Sequence, residues 1–586
     1  MKNWCWARFS PQEVQQLAKE FQTDLQRVLN GDNVNLECLD KLASLGSSGQ
    51  NKQNMNRDMV NLLHGDVKLS DPFNFTCELK VNPTTLATRP TSQCMFLPHV
   101  MFSDLYHKFP RAFDRLICPG RDECNRFWNQ MIDARNPQMD RHPVTRMPDY
   151  KHRCVPLILH ADGVPITGLG KSWSASADVY HWRSMLARGS THEVCFYMWS
   201  IMQKIESTLP DKRSKQEFWL IVSWSLKALF HGRWPTHDWH NRRLKNRNDI
   251  LKANKPLAGS EDDFYVATLW CIQADLDAYN KEFFLADYRT CKCAFCPADL
   301  STTGLSINEF RSRDALWMQR LYGKPEWLTS EYRLHALFLH VPGVSILSMG
   351  ADWMHNKHLG VDMYFLASVL HILVYTLLPG NAADNLRVVW GEIMVLAKRN
   401  KKNTYTNMRL NMFTEPLTPH KKHPKLKGRA AEVRGLVYSL VHVFDKYKDP
   451  TNLQHVQIMI CLKKSCTLEQ MLEDHRGDYA IPREYADEFE AVGLDFLVVY
   501  GALAKYYTDR GRKLFNLTIK AHYLAHAILN ARFISPRMAW TYMGEDFMRV
   551  SRRLLAVCCA GNKPEQATVK FAMHYRVGMN QVFGSY

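Results

Sequence analysis

The feature that most constrains the fold is an apolar stretch that leads to a single acid: Val155-Pro-Leu-Ile-Leu-His-Ala-Asp-Gly-Val-Pro-Ile-Thr167. Residues 155–159 have the length and composition of a buried strand, and Asp162-Gly163 has the composition of a turn at its end. A rigid strand that carries a carboxylate at its tip is well suited to hold a metal ion. A plain hairpin with a solvated aspartate in its turn would give the same pattern, so the rest of the chain has to decide between them.

The order of apolar segments predicts an α/β region followed by a long helical one. With 586 residues the chain is too long for one ordinary domain, and about three or four are expected. Residues 1–45 are expected to be helical, and a polar linker follows from residue 46. Strands are predicted at 155–159, 164–167, 175–181, 195–205 and 264–272. Helices are predicted at 98–109, 213–230, 306–320, 359–378, 384–398, 429–446, 483–506 and 515–530.

The charge of the chain narrows the class of partner. A formal net charge of +17 and a pI of about 9.1 favour a polyanion, nucleic acid first and an anionic membrane surface second. Only residues 359–378 approach the length of a membrane span, and they include Asp362 and His371, so we interpret them as a core helix and expect no membrane partner. The first residues lack the apolar core of a signal peptide, and the scattered cysteines are typical of reduced thiols rather than a disulfide framework.

Two basic runs in the second half of the chain could contact nucleic-acid phosphates. A charge run is more often only a solvated face, but in so basic a chain phosphate contacts are a fair hypothesis. Nuclear import is a second use for the same residues, and we expect a nuclear location. The candidate DNA-binding residues are Lys398, Arg399, Lys401, Lys402, Lys421, Lys422, Lys425, Lys427 and Arg429.

A tight cysteine cluster, Cys291-Lys-Cys293-Ala-Phe-Cys296, indicates a zinc site. The Cys293-x-x-Cys296 spacing lets two thiolates of one short turn reach the same tetrahedral ion. Cys291 could be a third ligand, and His355 and His358, which lie on one helical face, could supply others. Buried free thiols without a metal would give the same pattern.

Three acids that lie far apart in the chain could form a second metal site. Asp162 ends a predicted strand, Asp275 follows the apolar run 264–272, and Glu545 lies near the C-terminus. Clustered carboxylates suit Mg²⁺ or Mn²⁺, and two such ions can activate the attacking oxygen and stabilise the leaving oxygen in a phosphodiester reaction. Only a fold that gathers distant residues can do this, as the ribonuclease-H-like α/β fold does with adjacent strand ends and a late helix.

Two further acids compete for the role of the second acid. Asp277 would share one strand face with Asp275. Asp352, which lies beside His355 and His358, could be the second acid or part of a metal-ligand group.

Five segments of the chain follow one another in an order that matches a known family. They are His160-Ala-Asp162-Gly with Gly168-Leu-Gly170; Trp270-Cys-Ile-Gln-Ala-Asp275-Leu-Asp-Ala-Tyr279; Cys293-x-x-Cys296; Lys425-Leu-Lys-Gly-Arg-Ala-Ala-Glu-Val-Arg434; and Lys520-Ala-His-Tyr-Leu-Ala-His526 followed by Trp540 and Gly544-Glu545. Their order resembles the DDE transposases of the CACTA (En/Spm) group and the related KDZ superfamily. The chain also resembles the transposon-like proteins of dinoflagellate genomes. No single segment is specific, and the resemblance depends on their shared order across residues 155–550.

The resemblance implies an α/β ribonuclease-H-like core that is interrupted by a large, mostly α-helical insertion. Asp162, Asp275 and Glu545 would be the catalytic acids, and the cysteine pair would be structural. His522 and His526, on one helical face, would shape the site or contact DNA, or would be ordinary core histidines. The implied division is 1–95 for an N-terminal helical region and linker, 96–300 for the first part of the core, 301–504 for the insertion and 505–586 for the helical part that completes the core.

The expected activity is Mg²⁺-dependent hydrolysis of DNA at transposon ends, followed by attack of the freed 3′-hydroxyl on target DNA. The partners would be DNA and, in a homo-oligomer, further copies of the chain. Two alternatives stay open: a non-catalytic nucleic-acid-binding protein that retains the fold, and a structural zinc protein that acts through protein partners. The N-terminal region contains no recognisable DNA-binding module, so the chain could also be a domesticated or decayed copy.

Overall fold

The described part of the chain combines two small sheets with many helices, which makes it a mixed α/β protein. The computed structural model describes residues 2–28, 37–45, 55–64, 67–140, 142–166, 175–300, 302–321, 335–559 and 562–586. Most of the predicted linker and the Gly168-Leu-Gly170 segment lie outside these ranges.

A two-stranded hairpin precedes the main sheet. Strand β1 (Phe73–Lys80) pairs antiparallel with β2 (Thr88–Met95). The expectation that residues 1–95 are helical is therefore wrong for their last third. Alternate residues of β1 are buried, as expected for a strand with one face on a core.

The main sheet has four strands, β3 (Cys154–Pro165), β4 (Ser176–Ser184), β5 (Phe196–Met202) and β6 (Val266–Gln273). Their spatial order is β5-β4-β3-β6. Neighbours are antiparallel except β3 and β6, which run parallel. Every residue of β5 and β6 is buried, which explains why these strands are continuous apolar runs rather than alternating ones.

Strand β3 continues through Asp162, so the prediction of a turn there is wrong. The segments predicted as two strands, 155–159 and 164–167, form one strand as far as Pro165. Asp162 pairs with Val179 and Gly163 pairs with Asp178, because β4 supplies a partner along the whole length of β3. The acid is consequently held inside the sheet rather than at a flexible tip.

The helices surround the sheet and make up most of the second half. Before the insertion they are α1 (Lys2–Cys5), α2 (Pro11–Val28), α3 (Glu37–Ser44), α4 (Met55–His64), α5 (Pro98–Lys108), α6 (Pro110–Leu116), α7 (Arg121–Asp133), α8 (Tyr150–Arg153), α9 (Thr191–Val194), α10 (Ser214–His231), α11 (Arg247–Lys252) and α12 (Leu276–Phe283). They continue as α13 (Ala336–His340), α14 (Met354–Leu377), α15 (Ala382–Asn400), α16 (Ala430–Tyr447), α17 (Leu453–Asp474), α18 (Arg483–Asp509), α19 (Ile519–Asn530), α20 (Pro536–Ala539), α21 (Tyr542–Cys559) and α22 (Pro564–Phe583).

The region between residues 301 and 504 contains no strand in the ranges that the structure describes. Helices α14 to α18 match the predicted helical character of this region. The helix predicted at 306–320 is wrong: only a short 3₁₀ turn, Leu316–Arg320, forms there. Backbone bridging between Asp299 and Ser306 uses part of that segment instead.

Helix α14 is the one described helix that is long and apolar enough to cross a membrane. Its most apolar window is 72% buried inside the protein. Lys357 and Asp362, both fully buried, pair with each other at 2.7 Å. These contacts match the predicted core helix.

The two ends of the described chain meet on one side of the molecule. Arg576 in α22 donates to the carbonyl of Leu69 at 2.7 Å, and the backbone N–H of Lys68 donates to Asn580 at 2.9 Å. Helix α22 also packs against β5, so the last helix joins the N-terminal segments to the sheet.

Candidate functional site

The parallel pairing of β3 and β6 brings two of the predicted acids side by side. The ladder between these strands ends with His160 opposite Gln273. Asp162 and Asp275 each lie two residues further along, so they come out at the same edge of the sheet. Asp275 also caps α12, since its Oδ1 accepts the N–H of Ala278 at 2.7 Å. The cap fixes the position of this carboxylate on the backbone.

Helix α21 brings the third acid to the same place. Glu545 lies in its first turn and approaches Asp162 closely enough to share a hydrogen bond. Gly544 allows the close approach: a Cβ atom there would lie 2.2 Å from Nε2 of buried His160. The predicted set Asp162, Asp275 and Glu545 therefore converges, although no local sequence pattern joins its members.

Burial and repulsion between like charges dominate the electrostatics of this carboxylate cluster. Burial, the negative charges of Glu545 and Asp275, and the hydrogen bond to Glu545 raise the pKa of Asp162 well above its usual value. Like charges at short range disfavour ionisation of one another, and a cation bound between them reverses that effect. Oxygen ligands of this kind fit a hard divalent cation such as Mg²⁺.

His355 and Asp352 form a hydrogen-bonded pair beside the cluster. Nδ1 of His355 lies 2.5 Å from Oδ2 of Asp352, and its Nε2 lies 3.5 Å from Oε1 of Glu545. Thr541 donates its N–H and its hydroxyl to Asp352, at 3.0 and 2.7 Å. Burial alone would lower the pKa of His355, but Asp352 and then Glu545 and Asp275 raise it to about 9.

The two rival acids differ from Asp275 in their contacts. Asp352 is buried, and its oxygens are taken up by Thr541, His355 and the backbone, so it reaches the cluster only through His355. Asp277 lies on α12 and forms a 2.5 Å ion pair with Lys281. The prediction that Asp275 and Asp277 share one strand face does not hold, since a helix begins between them.

A cavity of about 230 Å³ opens beside the cluster. Its lining includes Asp162, Gly163, Asp178, Asp275, Asp277 and Glu282. At its rear, Lys215 in α10 is paired with Asp178 at 2.6 Å, with Glu206 at 3.1 Å and with Glu282. The single ammonium group of Lys215 thus lies against all three carboxylates of this second acidic group.

A second, fully buried group could hold a metal. The ligand atoms of Cys293, Cys296, His522 and His526 all lie within 4.8 Å of one another. Cys293 Sγ is 3.3 Å from His526 Nε2, Cys296 Sγ is 3.3 Å from His522 Nε2, and the two Nε2 atoms are 3.1 Å apart. Two sulfur and two nitrogen donors form the ligand set of a tetrahedral structural zinc site.

Local structure explains why these four residues meet. His522 and His526 are one turn apart on the same face of α19. The N–H of Ala294 donates to the hydroxyl of Tyr523 at 3.0 Å, which ties the cysteine turn to that helix. The charge and hydrogen bonding of the two imidazoles and of Cys296 outweigh burial and hold the pKa of Cys293 well below its usual value.

The ligand set differs from the predicted one. Cys291 is only half-buried and ends a 3₁₀ turn with φ 55°, while His355 belongs to the carboxylate cluster. His358 is bonded to Glu469 at 2.8 Å and to the Tyr542 hydroxyl at 2.8 Å. The i, i+4 spacing of His522 and His526 was the available sequence signal, but nothing local links them to the cysteine pair.

The predicted DNA-binding residues lie on the surface at the end of α15 and in the loop that precedes α16. All are exposed except Lys402, whose ammonium lies 4.3 Å from the ring centre of Tyr438. Lys422 is paired with Glu415 at 2.7 Å. The full set is Lys398, Arg399, Lys401, Lys402, Lys421, Lys422, Lys425, Lys427 and Arg429.

Part of this set borders a basic cleft that the sequence did not reveal. The cleft has a volume of about 470 Å³, and four cations line it together with Glu473, which pairs with Arg537 at 2.9 Å. The cations are Lys401, Lys402, Arg434 and Arg537. Arg434 and Arg537 lie 5.4 and 4.7 Å from the ring centre of Trp540. Tyr542, which lines this cleft, begins α21, the helix that also carries Glu545.

Comparison of the sequence with protein-family models and with curated proteins returns no match.

Proposed function

We propose that the chain is a DNA-strand transferase of the DDE transposase type, built on a ribonuclease-H-like core with a helical insertion. The observation that carries the proposal is the convergence of Asp162, Asp275 and Glu545 from two neighbouring strand ends and a late helix. The strand order β5-β4-β3-β6, with only the last pair parallel, supports such a core.

The proposed reaction is hydrolysis of one DNA strand at a transposon end, followed by attack of the freed 3′-hydroxyl on target DNA. Asp162, Asp275 and Glu545 would hold Mg²⁺ or Mn²⁺, which supplies activation of the attacking oxygen and stabilisation of the leaving one. His355 would orient Glu545 from behind, and Asp352 would orient His355. The exposed lysines and the Arg434–Arg537 cleft would bind backbone phosphates.

The cysteine–histidine group would hold a structural zinc ion that fastens α19 to the cysteine turn. This role is separate from the chemistry, because all four side chains are fully buried. A nuclear location and assembly with further copies of the chain on DNA would follow from the same proposal.

The test is metal-dependent nicking of supercoiled plasmid by the purified full chain, with Mg²⁺, Mn²⁺ or EDTA. The wild type is expected to nick only with a divalent cation, and Asp162→Asn and Glu545→Gln to abolish nicking while they retain DNA binding. Salt-dependent DNA binding without any nicking would favour the non-catalytic nucleic-acid-binding protein. Zinc content with no DNA affinity would favour the structural zinc protein.

A further inference from the structure

A large cleft at the C-terminal end of α10 plays no part in the site described above. It has a volume of about 750 Å³, and three tryptophans, Trp224, Trp234 and Trp239, line it. Lys227, His231, Arg233 and His237 lie around the same opening. Three half-buried indoles in one open cleft are unusual, because tryptophan rings normally lie deep in cores or in interfaces.

Two of the three indoles, Trp224 and Trp239, already donate their N–H groups to other residues of the protein. Trp224 donates its N–H to the carbonyl of His237 at 2.9 Å, and Trp239 donates to Glu217 at 2.5 Å. Buried His99 lies between Trp224 and Trp234, with ring centres 5.1 and 5.3 Å away. Trp224 and Trp239 therefore offer a ligand their rings rather than their N–H groups, while Lys252 lies 4.7 Å from the ring centre of Trp234 and adds a cation beside it.

The surroundings of the cleft are strongly cationic. Residues 227–255 include eight Lys or Arg and two Asp. One of the acids, Asp238, is bonded to Arg242 at 2.8 Å. Arg243, Lys245 and Arg247 are exposed on the loop that leads from the cleft into α11. The charge complements an anionic ligand, and the rings complement flat bases.

The cleft adjoins the carboxylate cluster through an intermediate cavity. Leu220 and His340 line both the tryptophan cleft and a neighbouring cavity of about 420 Å³. Lys281 and Glu282 line both that cavity and the one beside Asp162. The first two openings follow α10, whose 18 residues span about 27 Å.

We propose that this tryptophan cleft binds an unpaired stretch of DNA strand, with bases stacked on the indoles and phosphates on the cations of residues 227–255. A single strand is favoured over a duplex because stacking on a side chain requires a base whose face is free. The inference deepens the proposed function, since it assigns a path for a strand that leaves the carboxylate cluster. It rests on that function only for the choice of DNA as ligand.

The experiment measures binding of fluorescent oligonucleotides of about 20 nucleotides to the full chain in EDTA, so that no cleavage is involved. The probes are oligothymidylate, an abasic strand with the same number of phosphates, and a duplex of the same length. Oligothymidylate is expected to bind about tenfold more tightly than the abasic strand. Equal affinity for the two single strands, or tighter binding of the duplex to this cleft, would overturn the proposal.

The variants separate stacking from charge. Trp234→Leu with Trp239→Leu is expected to weaken oligothymidylate binding about tenfold or more and to leave the abasic strand almost unchanged. Phe21→Leu, an exposed aromatic elsewhere in the chain, is the matched control and should bind as the wild type does. If the tryptophan variant binds oligothymidylate as tightly as the wild type, the cleft is not the site.

A second variant covers the case in which the tryptophan replacement unfolds the protein. Arg243→Ala, Lys245→Ala and Arg247→Ala together should lower the salt dependence of binding by about 0.7 for each phosphate that the protein no longer neutralises. The control is Arg387→Ala with Lys505→Ala, which removes two cations that are paired on other helices. This variant should keep the salt dependence of the wild type. Oligonucleotide binding is measured in EDTA and plasmid nicking in Mg²⁺ or Mn²⁺, so failure of the catalytic proposal and failure of this one give different results.

Discussion

The Nε2 atom of His355 lies 3.5 Å from Oε1 of Glu545, and its Nδ1 atom lies 2.5 Å from Asp352. The imidazole thus connects a carboxylate at the exposed edge of the cluster to one that is fully buried. Asp352, predicted as a rival acid, and His355, predicted as a zinc ligand, both take part in a different arrangement. In it Asp352 holds His355, and His355 contacts Glu545.

Replacement of His355 is expected to impair cleavage without loss of DNA affinity. His355→Ala removes the group that orients Glu545, and such outer partners typically contribute about 10–100-fold to activity. His355→Gln, whose amide NH₂ can still donate to one of the two carboxylates, should recover part of the rate. The measurement is plasmid nicking at saturating Mn²⁺ beside DNA binding in EDTA, and a wild-type rate in the alanine variant would contradict the assigned role.

The neighbouring acids Asp275 and Asp277 make a matched pair. Asp275→Asn should abolish metal-dependent nicking and weaken Mn²⁺ binding, because this carboxylate adjoins Asp162. Asp277→Asn removes the same charge two residues further along the chain. It breaks only a partly exposed ion pair with Lys281, so this variant should retain most of the nicking activity. The reverse result would show that Asp277 is the second acid.

Gly544 tests whether the close approach of α21 to β3 is required. Gly544→Ala would place a Cβ atom 2.2 Å from His160 Nε2, so we expect overpacking that costs about 1–3 kcal/mol and lowers cleavage. Gly501→Ala is the control: its Cβ would meet nothing within 4 Å, and it should stabilise α18 by about 1 kcal/mol. His160→Ala combined with Gly544→Ala should restore part of the loss, as followed by urea unfolding and nicking.

Metal content tests the cysteine–histidine group. The wild type is expected to carry one zinc ion per chain, and Cys293→Ser or His526→Ala to lose it together with much of the stability. Cys291→Ser should keep its zinc, since this cysteine lies outside the group. Elemental analysis and thermal unfolding with and without a chelator provide the readouts, and a zinc-free wild type that is purified without chelators would overturn the assignment.

Buried histidines should make the protein less stable in mild acid. Burial lowers the pKa of His99 and His335 to about 3 and that of His142 and His574 to about 4. The unfolded chain protonates these side chains near pH 6.5 and the folded chain does not, so their stabilisation is full above that pH and is lost as the pH falls. Each should contribute a loss of about 2 kcal/mol between pH 7 and pH 5.

Urea unfolding at pH 7, 6 and 5 checks this expectation. His335→Gln removes one titrating group. The free energy of unfolding of this variant should fall by about 2 kcal/mol less than that of the wild type between pH 7 and pH 5. A midpoint that does not change between pH 7 and pH 5 would contradict the prediction. Carboxylates such as Glu469, whose pKa the buried Lys357 and His358 hold well below the usual value, contribute only in stronger acid.

The local pattern of apolar residues predicted the strands better than it predicted the connections between them. The apolar runs at β5 and β6 indicated buried strands because both faces of those strands are covered. The same reasoning placed a turn at Asp162-Gly163, since it could not include the ladder with β4 that carries β3 through this point. At 306–320 helical spacing was present, but backbone bridging and a 3₁₀ turn form instead.

The candidate site was likewise predicted from the sequence only in part. The three acids were predicted from their positions in the chain and from a resemblance. The register of β3 and β6 accounts for the convergence of Asp162 and Asp275, and the packing of α21 against β3 brings Glu545 to them. The partners of Cys293 and Cys296 could not be predicted, because α19 reaches them through tertiary packing more than 200 residues later. The roles of Arg434, Arg537 and the tryptophans of the α10 cleft depend on surface shape, which sequence spacing does not contain.

The late position of α21 also affects how the protein is made. Asp162 and Asp275 leave the ribosome well before Glu545, and at usual translation speeds the 545 − 275 = 270 intervening positions take roughly tens of seconds. During that time the growing chain has two of its three clustered acids, and its cysteine pair still lacks His522 and His526. A fragment released before residue 522 would have neither site complete, and the carboxylate cluster requires synthesis through Glu545.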